Sequence, residues 1–91
     1  MIIVKVIGNV WATRKEDALS GLKLMVVQRL NLDCTGEQDN FVAADCVGAG
    51  VGERVLVVTG SSARKALRNP NIPVDAAIVG IIDEVEVWPE G

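Results

Sequence analysis

The chain has 91 residues, a formal net charge of −3 and 49% hydrophobic residues, of which few are aromatic. This length fits one compact domain, so residues 1–91 are predicted to form a single domain. The nine Lys and Arg residues are scattered along the chain, which argues against a basic surface for nucleic acid. No stretch approaches the roughly 18 apolar residues of a membrane-spanning helix. A soluble protein with neither nucleic acid nor a membrane as partner is therefore expected.

The apolar content exceeds what the core of so small a domain hides. The excess predicts a second buried surface, most simply an interface between identical subunits. Cys34 and Cys46 lie far apart in a chain without histidine, which matches neither a zinc pattern nor a redox CxxC pair. Both are predicted to be reduced thiols, with a disulfide between them as the alternative.

The first half of the chain alternates between apolar strand patterns and polar connections. Residues 2–10 predict a strand with one face buried and the other mostly buried. Residues 11–21 are polar and predict a loop with one helical turn. Residues 22–30 and 41–47 predict the second and third strands, joined by a hairpin connection at 31–40 that is rich in Asn, Asp and Gly.

The second half of the chain contains the elements that complete the predicted fold. A glycine-rich passage at 48–52 leads into a fourth strand at Arg54–Thr59, and a serine at 61–62 is expected to cap a short helix that ends at Arg68. Residues 76–88 predict a long fifth strand. The predicted fold is mainly β: a five-stranded OB-like β-barrel with one short helix between strands 4 and 5, whereas the usual OB helix lies between strands 3 and 4.

Two of these strands are apolar on both faces. Residues 55–58 and 76–82 contain almost no polar side chain, whereas a barrel strand with water outside alternates. They are the best indication in the sequence of a subunit interface, unless the helix covers one of them.

A glycine-rich turn before the fourth strand is the first candidate site. It contains Gly48, Ala49, Gly50 and Gly52, and its glycines permit positive φ angles and close backbone approach. Phosphate-binding loops place their glycines before a helix, but here a strand follows and Glu53 stands where an anion disfavours a carboxylate. A structural turn or a contact between subunits is predicted instead.

The second candidate site follows the fourth strand. Ser61, Ser62 and Arg64 stand at the predicted helix start, where hydroxyls, backbone N–H groups and a guanidinium can converge on an anion. The alternative is a serine cap with Arg64 as a surface or interface charge. No histidine is present to activate a serine, so no catalytic residue is predicted.

The remaining polar and aromatic residues predict no further chemistry. Glu84 and Glu86 share one face of the predicted fifth strand, which is typical of a solvated sheet face. Trp11 and Trp88 are predicted to pack at strand ends or at an interface, in preference to stacking on nucleic-acid bases. Neither a metal nor a cofactor is expected.

Several stretches, in this order, together resemble the vertex proteins of bacterial microcompartments, the ethanolamine-utilisation and carboxysome shell pentamer family. The resemblance covers nearly the whole chain. The stretches are GNVWAT at 8–13, GLKL at 21–24, GAGVGE at 48–53, GSSAR at 60–64 and PVDAAIVGIID at 73–83.

The resemblance implies a structural protein, not an enzyme, that forms a homopentamer. Such rings cap the vertices of a polyhedral shell in the bacterial cytoplasm, and hexamer-forming shell proteins build its facets. By the same resemblance, the interface or a central pore involves the two glycine-rich turns, with Gly48, Ala49, Gly50 and Gly52 in one and Ser61, Ser62 and Arg64 in the other. The alternative is an OB-like oligomer that binds a small ligand or an anion.

Overall fold

The computed structural model describes residues 1–11, 17–19, 21–30, 39–86 and 88. The described residues form five strands, one short α-helix and a 3₁₀ turn at Asp17–Leu19. In chain order, the strands and the helix are β1 (Ile2–Val10), β2 (Leu24–Arg29), β3 (Asn40–Asp45), β4 (Arg54–Thr59), α1 (Gly60–Ala66) and β5 (Ala76–Ile81).

The five strands form a closed barrel in the order β1-β2-β3-β5-β4, and pairing between β1 and β4 closes it. β3 and β5 run parallel, whereas the other neighbouring strands are antiparallel. Helix α1 packs against β4 and β5. Closure gives each described strand two neighbouring strands, so no described strand presents a wholly unpaired edge to another chain.

The barrel interior is an aliphatic core built by alternation along the strands. Each fully buried Val or Met side chain contributes about 1.5–3 kcal/mol relative to an exposed one. Among the described residues, no polar residue is buried as a whole. The largest fully buried side chains are Val4, Val6, Met25, Val27, Val55, Val57 and Ile78.

The predicted architecture is confirmed: a five-stranded closed barrel with its helix between β4 and β5. β1 and β4 have the predicted bounds. β2 and β3 are shorter than predicted, but they pair in the antiparallel way that a hairpin requires. Residues 31–38 of the predicted connection lie outside the described residues, as do 12–16 of the predicted loop.

The predicted ends of the helix and of the last strand were wrong. The helix ends at Ala66 and not at Arg68, because Arg68 adopts the left-handed backbone conformation (φ 59°) that terminates helices. β5 ends at Ile81, where its partner β4 begins. The last contact between them is the N–H of Ile82 on the carbonyl of Arg54, at 2.9 Å.

The end of β5 also corrects the interpretation of the acidic residues that follow it. Glu84 and Glu86 are exposed but lie beyond the strand. They therefore do not form a solvated sheet face. Alternating side chains predicted a strand here, but no strand among the described residues pairs with residues 83–86.

Candidate functional site

The glycine loop, residues 46–53, connects β3 to β4 and is organised around the carboxylate of Asp45. Its Oδ1 accepts hydrogen bonds from the N–H groups of Val47 (3.0 Å) and Gly48 (3.1 Å). Its Oδ2 accepts from the N–H of Ala49 at 2.9 Å. Three successive backbone donors thus point at one carboxylate, an arrangement resembling the backbone nests that bind anions in other proteins.

A second carboxylate completes the glycine loop. Glu53 Oε1 accepts the N–H of Gly50 at 2.6 Å, while the N–H of Glu53 donates to the carbonyl of Gly50 at 3.2 Å. Two further bonds fasten this end to β1: the N–H of Gly52 donates to Val6 at 2.8 Å, and the N–H of Val6 donates to Glu53 at 2.9 Å. The loop is therefore held by its own residues on both sides.

These bonds decide the chemistry of the glycine loop. The N–H groups that a phosphate would need are already bonded to Asp45 and Glu53, and two carboxylates repel an incoming anion. Lys23 stabilises this arrangement: its Nζ donates to the carbonyl of Ala49 at 3.1 Å and lies 3.9 Å from Asp45 Oδ2. The geometry supports a structural turn over a phosphate cradle.

Two glycines of the loop are required by its backbone. Gly48 and Gly52 have φ angles of 79° and 94°, values that residues with a Cβ rarely adopt. Ala49 is fully buried in the core, whereas Val51 is 59% exposed at the tip of the loop. The loop therefore anchors one side chain inside the barrel and presents another outside.

The second candidate site lies at the start of α1, and its predicted cap was wrong. Thr59 occupies the cap position, without a side-chain cap hydrogen bond. Ser61 and Ser62 are exposed in the first turn and do not cap the helix. The N–H of Gly60, the first of the helix, donates to the carbonyl of Asp75 in the segment before β5 at 2.9 Å.

The structure separates the two candidate sites. The glycine loop precedes β4 and the start of α1 follows it, and six residues in a strand span roughly 20 Å. The turn with Gly48 and Gly52 and the turn with Ser61, Ser62 and Arg64 consequently lie at opposite ends of β4. Within one subunit they do not form a single site.

Apolar side chains cover parts of the barrel exterior. On the outer face of β2 and β3, Val26 lies opposite Val42, which is 46% exposed, and Leu24 is half-buried beside them. We call these three residues the outer β2–β3 surface. The sequence predicts an interface on β4 and β5; α1 packs against these two strands, and their role in an interface stays a prediction.

A second group of apolar side chains lies near the start of β4. The backbone bonds between Val6 and Gly52 place Ile7 and Val51 at the same end of the barrel as the glycine loop, and Ile81 lies there too because it pairs with Val55. Ile7 and Ile81 are each 39% exposed. We call Ile7, Val51 and Ile81 the loop-end surface.

The thiol of Cys46 stands at the first position of the glycine loop and is exposed. Partial burial raises the pKa of this thiol above its ordinary value, and the negative charge of the neighbouring Asp45 raises it further. The thiol therefore stays protonated at neutral pH. Cys34 lies outside the described residues, so the predicted state of the cysteine pair stays a prediction.

Sequence analysis missed two features. It did not assign Asp45 a role, although an aspartate directly before a glycine-rich turn is a common cap of such turns. It also treated the basic residues as scattered, whereas Arg64, Lys65 and Arg68 line one surface cavity beside α1. The sequence signal for this basic cluster was the four-residue spacing of Arg64 and Arg68, because residues four apart share one face of the predicted helix.

The described residues contain neither a metal-ligand cluster nor a membrane-spanning helix. Over the part of the chain that the structure describes, no three His, Cys, Asp or Glu residues come together as metal ligands. No helix formed by these residues is long and apolar enough to span a membrane.

Comparison with known proteins identifies close relatives along most of the chain. The model of the family described as ethanolamine utilisation protein EutN/carboxysome matches residues 1–83. The carboxysome shell vertex protein CcmL of Thermosynechococcus vestitus is 49% identical over 85 residues, which cover 93% of this chain and 86% of the relative.

Solved structures agree with this similarity. The pentameric microcompartment shell protein GrpN of Rhodospirillum rubrum superposes with a TM-score of 0.84 at 46% identity, over 97% of this chain and 100% of the other. The CcmL protein of Nostoc sp. PCC 7120 gives a TM-score of 0.86 at 46% identity, over 96% and 92% of the two chains. Fold and sequence are therefore similar along both chains.

Proposed function

Because this chain belongs to the EutN/CcmL family of ethanolamine-utilisation and carboxysome proteins, we propose that it is a structural shell protein that forms a homopentamer. The pentamer caps the vertices of a polyhedral bacterial microcompartment and resides with that shell in the bacterial cytoplasm. Residues 1–91 form the single vertex domain. The observation that carries the proposal is the similarity to the pentameric GrpN, over 97% of this chain and 100% of the other.

The barrel itself supports assembly into a ring. A closed ring uses heterologous contacts, in which one surface of each subunit meets a different surface of the next. The outer β2–β3 surface and the loop-end surface are two such apolar surfaces in the same molecule. Burying them between copies removes apolar area from water, which stabilises the ring by about 25 cal/mol per Å².

The mechanism of a vertex protein is geometric. A flat sheet of six-fold units does not close into a polyhedron, whereas a five-fold unit introduces curvature at the point where facets meet. We therefore propose hexamer-forming shell proteins as the partners of this ring. Apolar surface left over after ring formation would contact them.

The two glycine-rich turns are the proposed contact points around the five-fold axis. Gly48, Ala49, Gly50 and Gly52 form a turn held by its own carboxylates, which gives a neighbouring subunit a fixed surface to pack on. The turn at the other end of β4, with Ser61, Ser62 and Arg64, is the proposed lining of a central opening.

A structural role without catalysis fits the contents of the described residues. The relatives identified by sequence are shell vertex proteins. The chain lacks histidine, so no imidazole activates the exposed serines, and Asp45 and Glu53 are bonded to backbone N–H groups. We propose that the protein is not an enzyme and uses no cofactor.

The alternative function, an OB-like oligomer devoted to binding a small ligand or an anion, has less support. Its first candidate site is filled by Asp45 and Glu53. At its second candidate site, the start of α1, the predicted serine cap does not form. No solved relative described above is named for a ligand.

The test measures mass and targets the outer β2–β3 surface. Native mass spectrometry of the wild-type protein at micromolar concentration should give five times the subunit mass. Val42→Glu should give monomers, because a carboxylate buried at an interface loses its hydration without gaining a partner. Far-UV circular dichroism should show that the variant remains folded, since Val42 is already 46% exposed in the isolated barrel.

The control is Lys5→Glu, which changes a polar, exposed position on β1 and should leave the mass unchanged. A monomeric wild-type protein would overturn the proposed function. A Val42→Glu variant that still forms the full ring would instead show that the outer β2–β3 surface is not the interface.

A further inference from the structure

A surface cavity beside helix α1 takes no part in the barrel core. Its volume is about 400 Å³, which lies within the size range of small-ligand sites. We call this cavity the α1 pocket. Its lining residues are Ser61, Arg64, Lys65, Arg68, Asn69 and Pro70.

The α1 pocket concentrates positive charge in an acidic chain. Arg64, Lys65 and Arg68 are three of the nine cationic residues of a chain whose net charge is −3. Like charges this close repel one another. Among the described residues, the ion pair within 4.0 Å joins Lys23 to Asp45, so no described carboxylate neutralises the three cations of the pocket.

Arg68 holds an unfavourable backbone conformation at the end of α1. Its φ angle is 59°, and it occupies the position just after a helix where glycine or asparagine is usual. An arginine is strained there, and glycine would terminate α1 without strain. Residues held in such conformations cluster at ligand sites, and this one carries a guanidinium into a cavity already lined by two cations.

The end of α1 keeps these side chains in place. The N–H of Arg68 donates to the carbonyl of Lys65 at 3.0 Å, and the N–H of Asn69 donates to the carbonyl of Arg64 at 3.1 Å. Both bonds fix the backbone that carries the cations. At the start of the helix, the backbone N–H of Gly60 is not available to a ligand, because it is bonded to the carbonyl of Asp75.

We propose that the α1 pocket binds a small, multiply charged anion that carries phosphate or carboxylate groups. The guanidinium groups of Arg64 and Arg68 are its principal ligands, because the planar fork of N–H donors matches both phosphate and carboxylate oxygens. Lys65 adds a third charge, and the Ser61 hydroxyl and Asn69 amide supply neutral donors. The site shares Ser61 and Arg64 with the proposed lining of the central opening, but anion binding does not depend on the shell function.

The experiment is isothermal titration of the assembled protein at low ionic strength with two probes, pyrophosphate and citrate. Wild-type protein should bind at least one of them saturably. Arg64→Ala and Arg68→Gly should each weaken binding about tenfold or more, since a charged hydrogen bond contributes at least that factor. Lys5→Ala, which removes one positive charge from β1, should bind as wild type.

Arg68→Gly is the sharpest variant because it removes a cation and the backbone strain together. It should lose the anion while its thermal midpoint is unchanged or raised, whereas a folding defect would lower the midpoint. Native mass spectrometry of each variant separates loss of the ring from loss of the anion.

Each outcome of these measurements supports or refutes the anion site or the shell proposal. Preference for pyrophosphate assigns a phosphate-bearing ligand, and preference for citrate a carboxylate-bearing one; either supports the site. Absence of saturable binding by both probes overturns it, as does equal weakening in Lys5→Ala, which would indicate diffuse charge attraction. If Arg64→Ala abolishes the ring while Arg68→Gly binds as wild type, Arg64 belongs to the interface and the anion site is refuted. A monomer that binds the probe would refute only the shell proposal.

Discussion

Replacing Asp45 tests whether its carboxylate organises the glycine loop. The side chain is only 2% exposed and accepts the N–H groups of Val47, Gly48 and Ala49. In Asp45→Ala, water replaces the carboxylate for the two exposed donors, but the N–H of the buried Ala49 loses its acceptor. We expect a loss of about 2–4 kcal/mol in unfolding free energy, from about 0.5 kcal/mol for each exposed bond and about 1–3 kcal/mol for the buried group.

Asp45→Asn gives an intermediate case that isolates one oxygen. The amide oxygen can still accept from Val47 and Gly48, but the NH₂ group then faces the N–H of Ala49, and the attraction to Lys23 is lost. We expect a loss of about 1–2 kcal/mol. The two variants should therefore rank in the order Ala, Asn, wild type, with alanine the least stable.

The assay is urea unfolding followed by circular dichroism, with all variants at one protein concentration because assembly makes stability depend on concentration. Asp83→Ala is the matched control, since Asp83 is exposed, and it should change the unfolding free energy by less than about 0.5 kcal/mol. If Asp45→Ala proves as stable as Asp83→Ala, the carboxylate does not hold the loop and our account of it is wrong.

Three further predictions concern single residues. Gly52→Ala should destabilise the protein by about 1–2 kcal/mol in urea unfolding, because φ at this position is 94°. Gly8→Ala, where φ is not positive and a Cβ would meet Val26 at 3.9 Å, should destabilise less, and equal losses would contradict the strain argument. Arg68→Gly should raise the unfolding free energy by about 0.5–1 kcal/mol, as relief of strain exceeds the added chain entropy; a loss of stability would show that the arginine contributes to folding. In a Cys34→Ser background, the rate of Cys46 alkylation should rise with pH along a curve whose midpoint lies above that of a free cysteine peptide, because the pKa of the thiol is raised; a midpoint below that of the peptide would refute it.

The raised pKa of Cys46 also fixes the sign of its effect on stability. The folded protein holds the thiol proton more tightly than the unfolded chain does. Unfolding free energy should therefore be unaffected by this group at neutral pH and should fall as pH rises past the ordinary pKa of a thiol.

Local patterns in the sequence were sufficient for the elements and for the order in which they occur. Strands β1 and β4 were predicted with their observed bounds because alternating or continuous apolar runs ended in glycine or polar residues. Helix α1 was predicted at the right place between β4 and β5. The family resemblance carried by GAGVGE and GSSAR pointed to the fold and to the shell function, since these stretches are long enough to be specific in combination.

The boundaries that failed depended on partners distant in sequence. β5 was predicted to run to residue 88, but a strand continues only while a neighbour pairs with it, and β4 begins at Arg54. Helix α1 was expected to start from a serine cap, but the carbonyl of Asp75 reaches the N–H of Gly60 instead. Neither the length of a partner strand nor a carbonyl 15 residues away can be inferred from local composition.

The glycine-rich turn around residues 48–52 also has one property that the sequence predicts and another that depends on the fold. The sequence by itself determined that the chain turns there, because alternating glycines favour no regular element and Glu53 disfavours a bound anion. Only the tertiary structure decided how the turn is held: folding brings Asp45, at the end of β3, beneath three successive N–H groups and brings Lys23 of the neighbouring segment beside it. Hydrogen bonds depend on distances in space, and those distances exist only once the barrel has closed.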